Sequence, residues 1–76
     1  MAKFIKVIEV YGKNLHYKRE VWYNVDNIAM VKDLKKEQEE EYGGFEKISC
    51  IGFIDISRSS VKVLHTPEEI FKLMEE

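Results

Sequence analysis

The chain has 76 residues, a single cysteine, and 12 basic against 14 acidic side chains, for a formal net charge of −2. That length suits one domain spanning 1–76, small enough to bury only about 60% of the surface its unfolded chain exposes, and Cys50, having no partner, excludes an internal disulfide as a staple and suits a reducing, cytoplasmic compartment. The balance of charge offers no global pull on nucleic acid or anionic lipid, Lys6 and Glu9 interrupt the first apolar residues before a secretory leader could form, and the longest uncharged run, Ile48 to Ile54, is far short of the roughly 20 residues of a membrane span.

Phe4 to Tyr11 is rich in Ile and Val and reads as a strand apolar on both faces, with Lys6 and Glu9 on opposite sides of a period-2 pattern. A turn at "YGKN" follows, built on Gly12 and Asn14. From Leu15 to Val25 the alternation is cleaner. Leu15, Tyr17, Val21, Tyr23 and Val25 share one face, broken by Arg19, while His16, Lys18, Glu20 and Asn24 point the other way together with an out-of-place Trp22. The two strands suit an antiparallel hairpin.

Residues 26–44 admit two readings. Ala29, Met30, Leu34 and the Lys/Gln/Glu run are good helix formers, which suits a helix from about Ile28 to Tyr42 with Asp26 or Asn27 as its N-cap. The apolar positions stop at Leu34, however, which favours a tight turn at Asp26-Asn27, a strand over Ile28 to Leu34, and a solvated loop ending at Gly43-Gly44. Phe45 to Ser57 reads as a further strand, with Ile48, Cys50, Gly52, Ile54 and Ile56 lining the core face, Ile51 and Phe53 on the other, and a bulge or bend at Gly52. After an "SRSS" turn, Ser60 to His65 forms a short strand.

"HTPEEIF" then starts a helix. Thr66 is the N-cap, Pro67 takes the first position, where no N–H is needed, and Glu69 completes a capping box, with Glu68 and Glu69 at the positive end of the dipole. Ile70, Leu73 and Met74 form its apolar stripe. The expected class is mainly β (α+β): a curved antiparallel five-stranded sheet, or small open barrel, with one C-terminal helix laid on Val61, Val63, Ile54 and Ile56.

Little in this pattern carries chemistry. His16, Cys50 and His65 are scattered, without the short repeated spacings of a metal site. No nucleophile elbow surrounds Ser59 or Ser60, and there is no glycine loop for phosphate, so no enzyme, cofactor or metal is expected. The hairpin over 11–23 interleaves bases with aromatic residues, as single-strand-binding surfaces do, and makes His16, Lys18 and Trp22 the candidate nucleic-acid contacts. The acidic total charge and the placing of Tyr17 and Tyr23 on the apolar face argue against that use. The glutamate-rich stretch over 37–41 reads as a solvated loop.

Taken together, "FIKVIEVYG", "VWYNVDNIAMV" and "VKVLHTPEEIFKLM" resemble the small bacterial flagellar FlbD-type proteins and their relatives. The turn motif matches over Tyr23 to Ile28 and the helix-start motif over Val63 to Ile70, with His65 where that family has an acid. The longer hairpin over Leu15 to Val21 and the glutamate loop depart from it. The resemblance implies a small cytoplasmic accessory module and carries over no catalytic or binding residue. Because one helix is too little to cover both faces of the first strand, the sequence predicts a homo-oligomer, or a protein partner, meeting a surface of Phe4, Trp22 and Phe53.

Overall fold

The computed structural model describes residues 3–37, 44–55 and 59–76. Its strands are β1 (Phe4–Tyr11), β2 (Tyr17–Asn24), β3 (Ile28–Asp33), β4 (Ser49–Phe53) and β5 (Val61–Val63), with a single helical turn α1 (Leu34–Glu37) after β3 and a C-terminal helix α2 (Pro67–Glu75). All five strands join one antiparallel sheet in the order β2-β1-β5-β4-β3. The mainly-β class with one C-terminal helix is thus observed as an open sheet.

The order has a geometric consequence. The outermost strands, β2 and β3, are joined only by the 3-10 turn Val25–Asn27. Four chain steps reach about 14 Å, whereas the edges of a flat five-stranded sheet lie about 19 Å apart. The sheet must therefore curl. The turn is fixed by Asn24, whose side chain accepts from the Asp26 N–H, and by the Val25 N–H bonding to the Lys3 carbonyl and the Ile54 N–H bonding to the Asn27 carbonyl. The two strands flank the turn without pairing to each other. An extra residue in β3 between Ile28 and Met30 makes a bulge opposite Gly52, and a Cβ on Gly52 would press to 2.7 Å from the Met30 side chain.

The concave face holds the main core: Ile5, Val7, Tyr23, Ile51, Phe53, Val63 and Ile70, with Leu73 and Met74 of α2 packed against it. The capping box at the start of α2 forms as its sequence dictates. The Thr66 hydroxyl accepts from the Glu69 N–H at 3.2 Å, and the Glu69 carboxylate accepts from the Thr66 N–H at 2.9 Å. The far end is tied down by Lys3, whose ammonium donates to the Met74 carbonyl at 2.6 Å. A smaller cluster of Val10, Leu34 and Ile48, with Leu15, Phe45, Cys50 and Leu64 around it, lies on the other side of the sheet.

Three expectations need correction. In β4 the main core takes Ile51 and Phe53, on the opposite face from the one expected; Ile48 and Cys50 meet the smaller cluster, Ile54 is exposed, and Ile56 lies outside the described residues. Apolar residues occupy both faces of that strand, so alternation could not choose between them, and an inverted choice moves every side chain to the wrong side. Phe53, at 9% exposure with its ring against Tyr23, is core and not interface. Tyr17 is 58% exposed and is not part of the main core, since it starts the edge strand β2 beside the turn and stacks on Tyr11. The strand over 28–34 is observed with its last residue in α1, and the solvated loop falls mostly on residues 38–43, outside the described ones, as does part of the "SRSS" turn.

Candidate functional site

The β1–β2 hairpin presents two different faces. On the convex side, Lys6 sits opposite Trp22 and Ile8 opposite Glu20, with Phe4 diagonal to Trp22. Trp22 is 62% exposed and Phe4 53%. The Lys6 ammonium lies 5.8 Å from the Trp22 ring centre and 3.9 Å from the Glu20 carboxylate. This apolar face therefore carries both signs of charge at its centre.

The concave side changes character along its length. Past Ile5 and Val7 stands Glu9, a carboxylate only 3% exposed. Oε2 accepts from Arg19 Nε at 3.1 Å and Nη2 at 2.9 Å, and Oε1 accepts from the Tyr23 hydroxyl. The guanidinium so held lies 4.9 Å from the centre of the Tyr11 ring. Tyr11 in turn stacks on Tyr17 at 5.6 Å, and His16 stands edge-on to Tyr17 at 5.4 Å. At the tip, Gly12 takes φ +84°, and a Cβ there would meet the Tyr17 ring at 2.7 Å, so the ring lies directly against the turn.

Of the residues singled out from the sequence, Phe4 and Trp22 share the convex face, whereas His16 belongs to the ring cluster at the tip and Lys18 projects from the convex side of β2. His16, Lys18 and Trp22 therefore do not form one surface. The pattern of breaks could have revealed Glu9: Arg19 interrupts the apolar face of the second strand at the position directly opposite it.

His65 is placed by a bond that sequence did not suggest. Ile8 accepts from the Leu64 N–H at 2.9 Å, as in a continuing β1–β5 ladder, but the Ile8 N–H donates to His65 Nε2 at 3.1 Å. The imidazole supplies the acceptor that another strand residue would have offered. Its own carbonyl accepts from the buried Ser49 hydroxyl at 2.6 Å. Burial is the main influence holding the ring below its ordinary pKa of 6.5, with Glu69 acting upward and Lys47 downward. Glu69 itself is kept below the carboxylate range chiefly by its 2.8 Å bond from Lys47.

A pH dependence follows with a definite sign. A histidine depressed in the folded state contributes stability in full above 6.5, and the contribution falls as pH drops through that value towards the folded pKa. Glu69, from 4.5 downward, acts in a lower window. Thermal melts should lose stability between about pH 7 and 5, and His65→Gln, which keeps an acceptor oxygen but cannot titrate, should flatten that slope. An unaltered slope would assign it to another group.

Among the described residues no three His, Cys, Asp or Glu side chains gather as a metal site, and Cys50 is half-buried beside the smaller cluster. No helix among them is long and apolar enough to cross a membrane. Compared with known proteins, the chain matches no family model, no curated sequence and no solved structure.

Proposed function

We propose that the chain is a non-enzymatic interaction module that assembles with a second copy of itself through the convex face of the β1–β2 hairpin. The observation that carries this reading is the exposure of Trp22 and Phe4 on one face, where neither serves the core. A two-fold interface must be complementary to itself, and a patch of apolar rings centred on both Lys6 and Glu20 meets that condition. The adjoining edge supports it. Ile8 turns its backbone groups towards β5, so Val7 and Glu9 turn theirs towards β2, and Glu20 and Trp22 are left with theirs directed at the open edge.

The non-enzymatic part rests on employment. Glu9 is committed to Arg19 and Tyr23, Glu69 to the helix cap and Lys47, and His65 to the β1 backbone. Cys50 as a thiol fits a cytoplasmic setting. The FlbD-type motifs, used here as a turn and a helix cap, support a small accessory module and nothing finer.

Light scattering coupled to size exclusion should give about twice 9.0 kDa at micromolar concentration, returning to the monomer mass in Trp22→Lys with its fold intact by circular dichroism. A wild-type monomer at about 100 μM, far above the affinities of standard interfaces, would sink the reading.

A further inference from the structure

We propose that the tip of the β1–β2 hairpin is a platform for single-stranded nucleic acid, on which Tyr11, Tyr17 and His16 stack with bases while Lys13 contacts a phosphate. This surface is separate from the convex face assigned to self-association and does not depend on that assignment.

The first argument is charge. Residues 11–19 contain Lys13, Lys18 and Arg19 and no acid; Arg19 is paired with Glu9 and Lys18 lies on the convex side, which leaves Lys13 as the exposed cation beside the rings. The net charge of −2 therefore conceals a locally basic turn at the end of the β1–β2 hairpin. A polyanion responds to that local field more than to the total, since exposed charges farther than about 8–10 Å away are screened at moderate salt.

The second is the rings. Tyr17 at 58% exposure and Tyr11 stack in the open, with His16 edge-on, so Tyr17, unlike Tyr23, is not taken up by the core. Glu9, from within the protein, fixes Arg19 against Tyr11. The buried carboxylate thus acts through Arg19 to hold Tyr11 in place, which makes both positioning residues. Preformed stacking faces with flanking cations are the recurring means of binding single strands without sequence preference.

The third is strain. Asn14 at φ 58° and Leu15 at φ 53° are consecutive non-glycine residues in the left-handed region, a conformation a leucine rarely takes. Leu15 is held there because its side chain packs in the cluster of Val10, Leu34 and Ile48. A two-residue hairpin turn would join the strands without this distortion. The longer turn instead delivers His16 and Tyr17 to the same end of the hairpin as Tyr11, and strain retained in this way is characteristic of binding segments.

Fluorescence anisotropy with labelled oligothymidylate and oligouridylate of about ten nucleotides tests the assignment. Micromolar binding is expected, weakening about 2.6-fold between about 50 and 200 mM salt for one phosphate contact. Tyr17→Ala should weaken it at least about tenfold, Lys13→Glu should reduce both affinity and salt dependence, and Phe71→Ala, an exposed ring on α2, should leave it unchanged. Because Tyr17 and Lys13 are exposed, both variants should retain the wild-type far-ultraviolet circular dichroism and melt. Absence of binding at about 100 μM protein, the nonspecific range, overturns the proposal. So does binding indifferent to Tyr17→Ala, and so does equal affinity for an acidic peptide such as oligoglutamate, which would show a charge effect without base stacking.

Discussion

Ile70→Ala is expected to lower the folding stability by about 2–5 kcal/mol, the range for truncating a fully buried aliphatic side chain. Ile70 has 0% exposure and belongs to the same buried cluster as Ile5, Val7, Ile51, Phe53 and Val63, so it ties the helix into a core drawn from three strands. A domain of this length has only roughly 4–11 kcal/mol in total, and the loss therefore takes up a large part of it. The urea midpoint should fall while the denaturant slope stays constant. Ile70→Asp, which sets a carboxylate among those same residues, should leave the chain unfolded at room temperature. The comparison that decides the matter is Phe71, the next residue on α2 but 49% exposed: Phe71→Ala should stay within about 0.5 kcal/mol of wild type. Equal melts for Ile70→Ala and Phe71→Ala would mean that α2 is not docked by the face described.

The contrast between these two neighbours also marks what the sequence made legible. The start of α2 is written in local chemistry, since Thr66 and Glu69 satisfy one another's backbone N–H groups around a Pro67 that has none, and the expected capping box is the observed one. Strand existence was equally local. Strand facing was not, because Ile48, Cys50 and Ile54 compete with Ile51 and Phe53 as core candidates, and only the packing of α2 and the curl forced by the turn Val25–Asn27 select the second set. The same curl explains why β2 and β3, adjacent in sequence, end at opposite edges. At the site, Trp22 was legible as an apolar ring in a polar row. The pairing of Glu9 with Arg19 lay in two separate breaks of pattern whose shared register emerges only once the hairpin is aligned, and the His65 to Ile8 bond spans 57 residues with no local sign.

Glu9→Ala is expected to cost roughly 2–4 kcal/mol, well above the 0–1 kcal/mol typical of an exposed ion pair. Two losses combine. The Tyr23 hydroxyl, in a residue only 8% exposed, gives up its bond to the carboxylate, and a hydrogen bond to a charged group contributes about 1.5–3 kcal/mol. The vacated side-chain volume adds a cavity beside Val63. Arg19 contributes less to the loss, since its exposed guanidinium can turn to water. A cost below about 1 kcal/mol would place the carboxylate in solvent and refute its burial. Tyr23→Phe should couple to Glu9→Ala by about 0.5–3 kcal/mol in a double-mutant cycle, as contacting groups do. Glu9→Leu separates stability from positioning. It refills the volume, and replacing a buried charge with an apolar side chain is often neutral or favourable, so it should melt above Glu9→Ala. It also releases Arg19 from its place over Tyr11, and the rings at the hairpin tip should then lose their fixed stacking, visible as altered tyrosine signals in the near-ultraviolet dichroism. A Glu9→Leu variant as stable as wild type but with that signature would show that the buried carboxylate is retained for the geometry of the tip.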